Sequence, residues 1–91
     1  MKIEYDTNKN TKNILERELS FDRAQDFHFE TAKYLIDNRQ NYGEIRIRAL
    51  DHLDGHLHAL VFVEIEDGIR VISFRKANKR EVLDYEKAHR N

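Results

Sequence analysis

Near the start of the chain, apolar residues recur at short helical intervals: Ile14, Leu15 and Leu19, then Phe21, Ala24 and Phe27. That spacing predicts two helices. Asp6 or Thr7 can cap the first, and Ser20-Phe21-Asp22-Arg23 reads as the capped start of a short second one. From residue 31 the period falls to two, and four segments (31–37, 44–50, 56–66 and 69–76) read as strands. Residues 77–89 return to a helical pattern with Val82, Leu83 and Tyr85 as its apolar positions, while Ile3 and Tyr5 alternate as a short first strand would. The order predicts an α+β fold: a short N-terminal strand, two N-terminal helices, a four-stranded antiparallel sheet and a C-terminal helix.

Turn residues then assign faces. Asp67-Gly68 predicts a two-residue hairpin loop, which pairs Val63 with Ile72, Val61 with Phe74, and Leu60 with Arg75. In 56–66 the odd positions Leu57, Ala59, Val61, Val63 and Ile65 are all apolar, so they predict the core face. A two-residue loop at Asp54-Gly55 would pair Leu57 with His52. A three-residue loop, Leu53-Asp54-Gly55, keeps Ile45, Ile47 and Ala49 on the core side and turns Glu44, Arg46 and Arg48 outward. On this register Arg48 and Arg75 both flank Leu60, Arg46 flanks Phe62, and His58 lies beside them on one open face. Leu60, Phe62, Ile69 and Val71 on that face would need a cover, from the last helix or from a partner protein.

Composition narrows the class. At 91 residues the chain makes a single domain, 1–91, with one core. It contains no cysteine, which excludes disulfides, thiolate catalysis and cysteine metal sites. The net charge is only −1, so the chain as a whole is no polycation. Its charge is uneven, however. "RVISFRKANKR" (70–80) carries Arg70, Arg75, Lys76, Lys79 and Arg80 without one Asp or Glu, a patch suited to phosphate. The start, Met-Lys-Ile-Glu-Tyr-Asp, lacks the apolar stretch of a signal peptide. The longest apolar run, 59–63, is too short to span a bilayer, so a soluble cytoplasmic protein is expected.

Phosphodiester cleavage in RNA needs a group that moves protons and cations that meet the phosphate. His58 suits the first task, because imidazole titrates near neutrality. Arg46 and Arg75 suit the second, with Arg48, Arg70 and Lys76 as further phosphate contacts. Glu44 is a candidate base or an orienter of Arg46, and Tyr85 a candidate stacking or proton-donating group if the last helix folds over the sheet. Alternating Arg and Glu is also the ordinary composition of a solvated sheet face. His52, His56 and His58 could flank one hairpin as metal ligands, but no acidic fourth ligand accompanies them, and the site is expected to hold neither metal nor cofactor.

The residues Tyr5-Asp6, Lys9, Asn13 and Ser20-Phe21-Asp22-Arg23-Ala24 are followed by Glu44-Ile45-Arg46, His58, Ile69-Arg70-Val71-Ile72-Ser73-Phe74-Arg75-Lys76-Ala77, Glu81 and Tyr85. In that order they resemble the BrnT family of toxins from type II toxin–antitoxin pairs, over nearly the whole chain. The resemblance implies a RelE-like fold and a ribonuclease that cuts RNA to arrest translation. It also implies a ribbon-helix-helix antitoxin that neutralises the toxin and alone carries DNA binding, with no membrane involved. Carried over by position, the implicated residues are Glu44, Arg46, His58, Arg75, Lys76 and Tyr85. The chain departs from the family at Glu16-Arg17-Glu18, where many members read Lys-His-Gly, and this argues against RNA contact by the first helix. It also has Tyr5 where Trp is usual. The departure favours an alternative, a catalytically inactive toxin-like module that binds an antitoxin and modulates its DNA binding.

Overall fold

The structure, a computed structural model, describes residues 1–90. Its elements are β1 (Lys2–Tyr5), α1 (Thr7–Arg17), a 3-10 helix (Phe21–Asp26), β2 (Lys33–Asp37), β3 (Arg46–Leu53), β4 (His56–Ile65), β5 (Gly68–Lys76) and α2 (Lys79–Ala88). The α+β class and the C-terminal helix are as expected. The sheet is different: it has five strands in the order β1-β5-β4-β3-β2, antiparallel except that β1 runs parallel to β5. Hairpin logic joins sequence neighbours, whereas this parallel pairing closes between the two ends of the chain. It depends on Gly68, where any Cβ would collide with the Lys2 backbone. No helix among the described residues is long and apolar enough to cross a membrane.

The second N-terminal helix is a single 3-10 segment. Phe21, Ala24 and Phe27 are spaced by threes, and residues three apart eclipse in a 3-10 helix, so all three side chains enter the core. Ser20 caps it by accepting from the Asp22 N–H.

The first helix does not bury the residues its pattern suggested. Leu15 is 80% exposed and Ile14 43%, while Asn10 and Asn13 face inward. Hydrogen bonds decide the orientation. Asn10 Oδ1 accepts from the Phe21 N–H at 2.7 Å, and the Asn13 amide donates to the Leu19 and Phe74 carbonyls, both at 2.9 Å. β1 pairs with β5 only as far as Val71, so Asn13 satisfies a β5 carbonyl that no neighbouring strand reaches.

The helix ends at Glu18, which has φ 55° and returns its N–H to the Ile14 carbonyl. Glycine, with no Cβ, adopts this left-handed position at least cost. Glu18→Gly is therefore expected to stabilise the fold by about 0.5–1 kcal/mol. An upward shift of the urea midpoint at unchanged slope would show it.

Both hairpins turn one residue away from expectation. Asp54 (φ 52°) and Gly55 (φ 80°) form a two-residue loop, pairing Leu53 with His56 and His52 with Leu57. Positive φ at both centres is the turn geometry that matches strand twist, and Asp-Gly adopts it readily. At the other hairpin the loop is Glu66-Asp67, with Asp67 at φ 67° and Gly68 already inside β5. A bulge between Val61 and Phe62 then shifts the register, so that Val61 meets Ser73, Leu60 meets Phe74, Ala59 meets Arg75 and His58 meets Lys76.

These registers reverse the assigned faces of β4. Leu60 and Phe62 lie in the main core with Ala49, Leu53, Ile69, Val71 and Phe74, under Leu19, Phe21, Ala24 and Phe27. The residues expected to need an external cover are thus covered from within. Phe27 packs edge-on against Phe29 and Phe74, and Phe29 against Phe62. Leu50, Ala59 and Val61 are buried on the opposite face. There α2 is tied to the sheet through Glu81 to Arg48 and Arg75, and through the Lys33 ammonium to the Asp84 carbonyl.

Candidate active site

The register divides the expected site residues between the two faces of the sheet. Glu44, Arg46, Arg48 and Arg70 gather on the α2 side. Glu44 accepts from Arg46 at 3.1 Å and from Arg70 at 2.9 Å, while the Arg46 guanidinium carbon lies 3.9 Å from the centre of the Tyr42 ring. Glu81, almost fully buried, accepts from Arg75 twice (2.7 and 3.1 Å), from Arg48 (3.1 Å) and from the Asn78 N–H (2.9 Å). The Asn78 side chain in turn accepts from the Glu81 N–H, which closes a capping box on α2. Burial pushes the Glu81 carboxyl up. The hydrogen bonds from Arg75 and Asn78 and the charges of both arginines outweigh this and hold it below the usual glutamate range.

His58 is on the other side. It pairs with Lys76 and its ring packs edge-on to Phe74, so the expected union of His58 with Arg46 and Arg48 on one face does not form. The one-residue difference in the Asp54-Gly55 loop is the cause, because strand side chains alternate. His58 instead lines a groove of about 820 Å³ together with His56, Lys76, Arg75, Arg17 and Arg23. Arg75 reaches both settings: it pairs with Glu81 and also lines the groove.

The chemistry of His58 follows from its surroundings. The Nδ1 atom is 2.7 Å from the His56 carbonyl, which can only accept, so Nδ1 carries the proton. Nε2 is then the free acceptor. Burial is the main reason its pKa is held below the usual histidine value, and the nearby Lys76 and His56 charges add to this. At neutral pH the ring is an uncharged base at the wall of a cationic groove.

Tyr85 does not join that groove. Its hydroxyl donates to Asp51 at 3.2 Å, and its ring stacks on His89 at 4.0 Å and meets His52 edge-on. Asp51 is buried and also accepts from the Thr31 hydroxyl and the His52 N–H, so Tyr85 fastens α2 to the sheet edge. Burial and the Asp51 charge raise the Tyr85 pKa, which makes it a weaker proton donor. His52 faces Leu57 rather than His56, and no three His, Cys, Asp or Glu side chains among the described residues are placed to hold a metal ion.

Sequence reasoning did not place Arg17 and Arg23 at the groove. Arg23 is held by Asp26 at 2.8 Å and by a two-pronged bond to Asp54, which raise its pKa further. Arg17 donates to Asn13 at 2.9 Å. The only linear trace of this arrangement is the pair Asn10 and Asn13, polar residues on the helix face that packs inward. A second groove, of about 550 Å³, is lined by Met1, Phe29, Tyr34, Ile36, Phe62 and Ile69 among others; among the described residues Glu64 is its one charged side chain, and a carboxylate repels a phosphate.

Residues 5–81 match the family model described as the ribonuclease toxin, BrnT, of type II toxin–antitoxin systems. No curated protein and no solved structure matches the chain. The matched span takes in α1, the 3-10 helix, all of β2 to β5 and the groove around His58, and reaches Glu81. On that match the chain belongs to the BrnT family of ribonuclease toxins of type II toxin–antitoxin systems.

Proposed function

We propose that this protein is a metal-independent endoribonuclease that cleaves cytoplasmic RNA in the groove around His58 and thereby arrests translation. The observation that carries the reading is the setting of His58: Nδ1 is tied to a carbonyl, Nε2 has no partner among the described residues, burial holds the ring's pKa down, and Arg75 and Lys76 line the same groove. Nε2 takes the proton of a 2′-hydroxyl. The 2′-oxygen bonds to phosphorus as the bond to the 5′-oxygen breaks, leaving a 2′,3′-cyclic phosphate, and solvent protonates the departing 5′-oxygen. Arg75 and Lys76 stabilise the charge that builds on the phosphoryl oxygens. Family membership implies an antitoxin partner. A ribbon-helix-helix antitoxin, carrying all the DNA binding of the pair, fits the resemblance.

A second reading puts cleavage on the α2 side. There, among the described residues, Arg46, Arg48, Arg70 and Arg75 share only Glu44 and Glu81, so positive charge is left over, and Glu44 would act as the base. Cleavage of labelled RNA in the presence of EDTA separates the two. Arg75→Ala is expected to lower the rate by about 100-fold or more, with His58→Ala equally affected and Arg46→Ala within a few-fold of wild type. The reverse pattern moves the chemistry to Glu44. Activity lost to EDTA and restored by a divalent ion removes metal independence. Wild type that cuts no RNA leaves an interaction module that serves its antitoxin alone.

A further inference from the structure

Arg17 has no part in the reaction scheme above, yet it is built into the site. Its Nη1 donates at 2.9 Å to Oδ1 of Asn13, a side chain only 5% exposed whose amide is fixed by two backbone carbonyls. The last turn of α1 therefore presents a guanidinium on a buried bracket. Among the described residues no carboxylate lies within ion-pair distance of it, whereas Arg23 and Arg75, the other arginines of the groove, are both paired. Arg17 also lines a smaller groove of about 230 Å³, with Lys9, Lys12, Glu16, Phe21 and Ser73. The two grooves thus meet at one unneutralised cation. Beyond it, Lys12 and Lys9 lie about one and two turns back along the same helix. Glu16 approaches Lys12 at 3.9 Å, an exposed pair of the kind that a phosphate readily displaces.

We infer that Arg17 grips the phosphate next to the scissile one and that Lys9 and Lys12 take the phosphates beyond, so that the substrate is a single strand of RNA held along α1 as well as at His58. This rests on cleavage in the His58 groove. It assigns the first helix a role in binding that its Glu16-Arg17-Glu18 sequence argued against, because the two glutamates of that triplet do not pair with the arginine. A single strand is required because in-line attack by a 2′-oxygen needs a backbone free to rotate.

Binding of 2′-O-methyl oligoribonucleotides, which cannot be cleaved, tests the track by fluorescence anisotropy. Wild type is expected to hold a hexanucleotide more tightly than a dinucleotide. Arg17→Ala, at an exposed position, should weaken the hexanucleotide about tenfold and lower the slope of log K against log salt by about 0.7. Lys9→Ala with Lys12→Ala should remove most of the remaining length dependence, and Arg17→Lys should keep the slope. Hexanucleotide binding unchanged in Arg17→Ala, in affinity and slope, overturns the inference. So does tighter binding of polyglutamate than of the hexanucleotide, which would make the track a seat for an acidic peptide. If His58→Ala cleaves normally while the Arg17 dependence holds, the cleavage reading fails and the track stands. If His58→Ala abolishes cleavage and Arg17→Ala changes nothing, the track alone fails.

Discussion

Glu81→Ala is expected to destabilise the protein by about 3 kcal/mol, the low end of the range for breaking a buried ion pair from one side. The carboxylate is 3% exposed and accepts four hydrogen bonds, from two arginines on two strands and from the backbone that starts α2. Removing it leaves Arg48 and Arg75 facing each other without their counter-ion and opens the capping box. The loss stays at the low end because the two arginine side chains are 28% and 25% exposed and can recover water. For a chain of this size the melting temperature should fall by roughly 12–24 °C.

The effect has a defined pH window. The Glu81 pKa is lowered in the folded state, so its contribution is complete above about pH 4.5, the ordinary glutamate value, and is lost as pH falls through the folded value. Wild type and Glu81→Ala should therefore converge in acid. Thermal melts of both proteins from pH 7 to pH 3 check this, and a difference that stays constant into acid would mean the carboxylate charge is irrelevant.

His58→Ala is expected to reduce RNA cleavage by about 100-fold or more, the usual loss when a proton-transfer group is removed. The accompanying pH profile is the sharper test. A base works unprotonated, and the folded pKa of His58 is depressed, chiefly by burial. The rate should hold as pH falls through the ordinary histidine value of 6.5 and decline only at lower pH. A rate rising as pH falls through 6.5 would make His58 an acid instead. Stability carries the same sign: the unfolded chain takes up a proton near pH 6.5 that folded His58 resists, so the native state loses stability as pH drops below that point. Single-turnover rates from pH 8 to pH 5, with melts over the same range, measure both.

Much of this protein is legible along the chain, and the departures share a cause. The strands at β3, β4 and β5, the last helix and the cationic end of β5 follow from alternation, turn residues and local charge. Phe21, Ala24 and Phe27 are apolar at every third position, and this states the 3-10 geometry more directly than an α-helical one. Fold class and family membership needed only local patterns and their order. Which residues meet did not follow, since the loop at Asp54-Gly55 and the bulge at Val61 each change register by one position. One position is enough to carry His58 to the opposite face from Arg46 and Arg48.

The chain's own chemistry therefore determined which groups are present: an imidazole, a cluster of arginines, carboxylates to orient them, and no thiol. Tertiary structure decided which of them work together. The parallel pairing of β1 with β5 and the amide of Asn13 join residues far apart in sequence, and their hydrogen bonds have no signature in local periodicity. Side chains in a strand point to one face or the other with nothing between, so the composition of the site was open until the backbone pairing was known. Arg17 shows the same division: its charge is written in the sequence, and its place in the groove that His58 lines comes from a helix held against the part of β5 that β1 does not reach.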